Sequence, residues 1–138
     1  MKKLILSLSL VCFAALTNAQ TAVNFNTNDC ASLNHDLFTE LDAGKIVVLT
    51  WVMPCSACVN GALAAQAASQ SFSVSNPGMV VTYVADDYAN SNCATINNWC
   101  ASNGINPTAK FSSTVVSMSA YGTAGMPKVI VLGGANHT

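Results

Sequence analysis

Hydrophobic residues make up 51% of the 138-residue chain and charged ones only 8%, with a formal net charge of −1 and no arginine. Without a basic patch, a nucleic-acid or anionic-membrane partner is disfavoured, and without arginine so is bidentate phosphate recognition. The length suits one domain with a real core.

Residues 1–19 read as an export signal. Lys2 and Lys3 precede an almost wholly apolar run from Leu4 to Leu16, and Thr17-Asn18-Ala19 offers a small-residue cleavage site before Gln20. About thirteen apolar residues are too few to span a bilayer, and Val11 stands where a lipoprotein signal needs a small residue before Cys12. The expectation is a periplasmic or extracellular protein of 119 residues, with no stable membrane insertion after cleavage. Its Lys45, Lys110 and Lys128 face Asp29, Asp36, Glu40, Asp42, Asp86 and Asp87, three cations against six anions, which leaves −3.

Ala22–Phe25 predicts a short strand, and Asn34–Phe38 a second strand or the start of a helical turn, closed by Asp42-Ala43-Gly44. Ile46–Val52 is an apolar, β-branched run that reads as a buried strand. A sharp turn with Cys55-Ser56-Ala57-Cys58 follows, then an alanine-rich helix from Val59 to about Ser73, ended by Asn76-Pro77-Gly78. Met79–Val84 is continuously apolar, as a parallel strand buried on both faces would be. Asp86–Asn92 reads as a polar loop in which Asp86-Asp87 is solvated, although loops at strand C-terminal ends do line sites. A helix runs on to about Ser102, with Gly104 as its C′ residue. Asn106–Phe111 is a loop or short extended piece, and Val115–Tyr121 a short helix or irregular segment. Gly125-Met126-Pro127 then leads into a strand ending at Leu132. No internal repeat or linker interrupts this alternation of strand and helix, which predicts the α/β class.

After signal cleavage five cysteines remain, so at least one is unpaired in an oxidising compartment. Cys93 and Cys100 would lie about 10 Å apart on one helix, beyond the roughly 7 Å Cα limit for a disulfide. Cys30–Cys93 is then the preferred pairing, with Cys100 a buried apolar thiol. Three unpaired structural thiols are the alternative.

The Cys-x-x-Cys turn carries the chemistry. A thiol at a helix N-terminus meets free backbone N–H groups and the positive end of the helix dipole, which favour its thiolate. The thiolate is the nucleophile of disulfide exchange, and a second cysteine three residues on can resolve the mixed disulfide. A plain structural disulfide is one competing reading. Half a zinc site is another, with only His35 and His137 to add to the spare cysteines.

With these pieces in order, the chain resembles the thioredoxin superfamily, most closely its extracytoplasmic thioredoxin-like and thiol:disulfide interchange branch. Strand, Pro54-Cys55-Ser56-Ala57-Cys58 and helix form one motif, and Gly125-Met126-Pro127 before a strand forms the other. The match covers residues from about 36 to 134. The resemblance implies a thioredoxin-like fold, a central mixed sheet flanked by helices, and no cofactor. It makes Cys55 the attacking and Cys58 the resolving thiol, acting on protein thiols and disulfides. Pro127 should follow a cis bond and face the turn, while Met126 backbone atoms pair with an extended partner segment. Pro54 and Trp51 complete the substrate-binding set, although Trp51 reads first as core or rim packing.

Three departures stand out. Leu49 occupies the place where thioredoxin keeps a buried proton-accepting aspartate, so a water or a residue elsewhere must take the proton. Ser56-Ala57 replaces the Gly-Pro dipeptide, which leaves the direction of exchange open. The family adds a last strand and helix after Gly133-Gly134, so the domain over 20–138 is expected to be C-terminally incomplete, or to show an uncovered edge and apolar face.

Two other resemblances compete. Met53-x-Cys55-x-x-Cys58 matches the Cu(I)-binding loop of heavy-metal-associated domains. A peroxiredoxin-like antioxidant protein would need a threonine where Val52 stands, together with an arginine.

Overall fold

The computed structural model of the protein describes residues 20–122, 125–134 and 136–137. The export signal read over 1–19 lies outside them. The first elements are a small antiparallel ribbon, β1 (Asn26–Asn28) against β2 (Asn34–Asp36), followed at once by helix α1 (Leu37–Asp42). Asp36 ends the strand and caps the helix, its carboxylate accepting the Thr39 N–H at 2.9 Å. The strand expected over Ala22–Phe25 is not formed. Those residues are irregular, with Ala22 and Phe25 buried and the Asn24 side chain accepting the Phe38 N–H at 2.9 Å. Their apolar character reflects burial against the core rather than strand pairing.

The main chain then runs through β3 (Ile46–Val52), helix α2 (Val59–Ser75), β4 (Val80–Asp86), helix α3 (Cys93–Ser102), β5 (Ala109–Phe111) and β6 (Lys128–Leu132). Among the described residues the main sheet has the order β5-β4-β3-β6. Strand β3 pairs in parallel with β4 from Ile46 opposite Val80 to Val52 opposite Asp86, and β5 continues the parallel set. Strand β6 pairs antiparallel to β3, which makes the sheet mixed. No helix among the described residues is long and apolar enough to cross a membrane.

Strand alternation sorts side chains to two cores. Leu49 and Trp51 point to the layer that holds Leu37, Leu41, Phe111, Val116 and Met118. Val52 and Val84 point to the layer that holds Cys58, Ala62, Ile96, Cys100 and Ile105, beneath α2 and α3. A disulfide between Cys30 and Cys93 ties the β1–β2 loop to the first residue of α3, with the Cα atoms 5.3 Å apart. Cys100 is a buried free thiol. On the α2 side of β6, Val129 and Val131 stay exposed along an apolar cleft of about 270 Å³ that Ile46, Phe72 and Val80 also line.

Both histidines are engaged within the fold. His35 is partly buried between Tyr83 and Phe111, with Nδ1 3.2 Å from the Tyr83 hydroxyl and Nε2 3.4 Å from Asp29. His137 stacks on Phe38 and meets Asp42 at 2.7 Å.

Candidate active site

Strand β3 ends fully buried at Val52, and the next residue, Met53, is 47% exposed, so the chain breaks surface there. Pro54 is half-buried beside Cys55. Cys55 is extended (φ −137°, ψ 169°), and Ser56–Cys58 form one 3-10 turn that runs directly into α2. That sequence of conformations sets both thiols at the helix head.

The two sulfurs are 3.8 Å apart, in contact and not bonded. Their environments differ. Cys55 is partly exposed, and the backbone N–H of Cys58 is the main influence that pulls its thiol below the ordinary range, with help from the Cys58 side chain and the Ala57 N–H. Cys58 is 1% exposed. Burial pushes its thiol up, the Met53 backbone opposes this, and Cys55 and Asp87 add to the rise. The thiolate is therefore favoured at Cys55 and disfavoured at Cys58.

Residues distant in sequence frame the turn. Trp99 of α3 donates its indole N–H to the Cys55 carbonyl at 3.1 Å. Met126 packs against both cores, alongside Cys55 in the layer of Val52, Cys58 and Ile96. The Met126–Pro127 peptide bond is cis, and the Pro127 ring lies directly on Gly61 in the first turn of α2. The structure thus brings Cys55, Cys58, Met126 and Pro127 to one end of the sheet.

Trp51 does not join them. It is fully buried, its indole N–H donates to the Val116 carbonyl at 2.9 Å, and its ring lies 5.5 Å from Tyr121. With no surface to offer, it is a core residue and not a substrate platform. Asp86 and Asp87 also correct the solvated-loop reading, being 1% and 5% exposed. Strand β4 runs on to pair Asp86 with Val52, and the Asp87 N–H donates to the Val52 carbonyl at 3.1 Å. The Asp86 carboxylate accepts the N–H groups of Asn90 and Ser91. Asp87 has its carboxyl pushed up by burial first and by Asp86 second. Leu49 and Thr50 are buried in β3 and bring no carboxylate. Cys58 feels the negative charge of Asp87 instead, and neither this link nor the contacts of Gly61 and Trp99 with the site were read from the sequence.

Cys55 and Cys58 are the soft donors available to a metal. Among the described residues no third histidine, cysteine or carboxylate completes a ligand group with them. The two histidines are engaged elsewhere, with Asp29 and Tyr83 or with Asp42.

No family model and no curated protein matches the sequence. Solved structures do match the fold. The thioredoxin domain of a thiol-disulfide oxidoreductase from Bacteroides vulgatus superposes with a TM-score of 0.67 at 13% identity, over 89% of this chain and 86% of that one. The chain has the thioredoxin fold. A secreted Mycobacterium tuberculosis disulfide oxidoreductase homologous to E. coli DsbE gives a TM-score of 0.59 at 19% identity, over 83% and 78% of the two chains. A thioredoxin-family thiol:disulfide interchange protein from Chlorobium tepidum gives 0.58 at 15% identity, over 89% and 84%. Within the thioredoxin fold, the Cys55 turn stands at the C-terminal end of the parallel strand β3, where open α/β sheets place their sites.

Proposed function

We propose that the protein is an exported thiol–disulfide oxidoreductase that exchanges disulfides with partner proteins through the Cys55–Cys58 couple. The observation that carries this reading is the asymmetry of the pair: a partly exposed thiol with its thiolate favoured, in contact with a buried thiol held protonated. The fold's neighbours include thiol-disulfide oxidoreductases, which supports the same chemistry. Residues 1–19 supply the export signal, and the domain begins at Gln20.

In the reducing direction, the Cys55 thiolate attacks one sulfur of a partner disulfide. The Cys55–partner bond forms as the partner's S–S bond breaks, and the departing sulfur leaves as a thiolate that takes a proton. Cys58 then gives its proton to solvent water and attacks the Cys55 sulfur, forming the Cys55–Cys58 bond and releasing the partner's second thiolate. Two electrons pass from this protein to its partner, and the reverse sequence oxidises a partner dithiol. Met126 offers backbone groups to an extended partner segment, Pro127 faces the thiol turn, and Pro54 borders it. Replacing Cys55 by Ser should abolish exchange with a protein disulfide; unchanged exchange would sink the reading.

A further inference from the structure

The first turn of α2 contains a glycine that the helix itself does not favour. Helix α2 is otherwise rich in alanine, the best helix former, whereas glycine is the poorest after proline. Gly61 has no positive-φ backbone to explain its presence. Its surroundings do: a Cβ at position 61 would lie 2.3 Å from Cγ, 3.2 Å from Cδ and 3.6 Å from Cβ of Pro127. Carbon atoms in contact sit at about 3.5–4.0 Å, so a methyl group there requires one partner to move.

We propose that Gly61 is a positioning residue for the partner-binding loop, its missing side chain letting Pro127 seat against the helix head at the height where Met126 meets the partner. The inference rests on the oxidoreductase reading and names a determinant of its protein-substrate recognition. A proline ring is closed on its own backbone and cannot swing aside as a flexible side chain can. The helix head is anchored too, because Cys58 and Ala62 on either side of Gly61 are buried in the core. The segment Gly125–Pro127 is the element that must yield. Its far side is fixed by the Lys128 ammonium, which donates to the carbonyls of Tyr121 and Gly122, and by the pairing of Lys128 with Trp51. Displacement at Pro127 therefore passes to Met126, whose backbone is the part offered to a partner strand. Cys55 and Cys58 keep their places, because the Trp99 indole holds the Cys55 carbonyl and Cys58 is buried in the core.

The test is Gly61→Ala, assayed with a dithiol reductant as electron donor on a disulfide-bonded protein such as insulin and on a small disulfide such as oxidised glutathione. The KM for the protein disulfide should rise about tenfold or more, as misplacement of a binding element by about 1 Å can do, with kcat little changed. The small disulfide, which needs no strand pairing, should react at nearly the rate of the unmodified protein. Equal losses on both substrates, or no loss on either, would overturn the proposal. Unmodified protein that turned over neither substrate would instead remove the oxidoreductase reading, and this inference with it. Unfolding midpoints supply a second arm that is independent of activity. Gly61→Ala should lower the midpoint when Pro127 is present, and leave or raise it when Pro127→Ala has removed the nearest ring atoms. The same loss in both backgrounds would overturn the proposal, even if the single variant proved too unstable to assay.

Discussion

The indole N–H of Trp99 donates to the carbonyl of Cys55 at 3.1 Å, so a residue of α3 holds the turn that opens α2. The same helix begins at Cys93, which is bonded to Cys30. The position of the Cys55 backbone is thereby tied to the β1–β2 loop, far from it in sequence. Trp99→Phe keeps most of the ring and removes the donor. It should cost about 1 kcal/mol of stability, the net worth of one such hydrogen bond, and slow reaction at Cys55. Denaturant unfolding together with a Cys55 alkylation rate checks both; a neutral effect on each would show that the contact does not hold the turn.

The free thiols of Cys55, Cys58 and Cys100 should differ sharply in reactivity. In the reduced, folded protein at neutral pH, iodoacetamide should label Cys55 and spare Cys58 and Cys100, which are buried. Backbone N–H groups favour the Cys55 thiolate, so its labelling rate should rise at lower pH than that of an ordinary thiol. Burial pushes Cys58 and Cys100 the other way. Peptide mapping of the label over a pH series would show it, and Cys58 labelled ahead of Cys55 would contradict the assignment of roles.

Asp87 should make folding sensitive to acid in the unusual direction. Its carboxyl is pushed above the ordinary value by burial and by Asp86, so the fold favours its protonated form. The stability that this protonated group contributes is fully present below the unfolded pKa and is lost as pH rises through the folded one. Asp87→Asn should therefore raise the unfolding midpoint at neutral pH more than in mild acid. It should also bring the Cys58 thiol down, since one of the charges raising it is gone. Thermal melts at the two pH values decide the first point; a variant less stable at neutral pH would count against it.

Removing the Cys30–Cys93 bond should destabilise the protein without touching the reactive pair. Its partners are 63 positions apart in the chain, and closing a loop of that size restricts the unfolded state by about 4 kcal/mol in the chain-entropy account. The double serine variant should show that scale of loss in denaturant unfolding while Cys55 stays the preferentially labelled thiol in the folded protein. A change smaller than about 1 kcal/mol would argue against the bond as a staple.

Much of the framework was legible because local patterns decided it. The β-branched run Ile46–Val52, the alanine-rich stretch after Cys58 and the continuous apolar strand before Asp86 each carry one structural meaning. Asp86 and Asp87 misled because two adjacent carboxylates after an apolar run look solvated. Their burial depends on the register of β4 against β3, a non-local quantity. Trp51 misled for a similar reason: an aromatic four residues before Cys55 is either rim or core until strand alternation against Leu49 is known. Gly61 did leave a trace, as a poor helix former among alanines, but its meaning lies in Pro127, more than sixty residues away. Trp99 was readable as part of the inward face of α3. Its hydrogen-bond acceptor was not.

The proposed exchange chemistry depends on the Cys55–Cys58 couple. Its redox midpoint can be measured by thiol trapping and mass spectrometry across a thiol/disulfide buffer series. The expected result is a reversible two-electron transition between the thioredoxin and strongly oxidising ranges, roughly −270 to −120 mV. A pair with no reversible transition, or a bond that yields only when the protein unfolds, would contradict it.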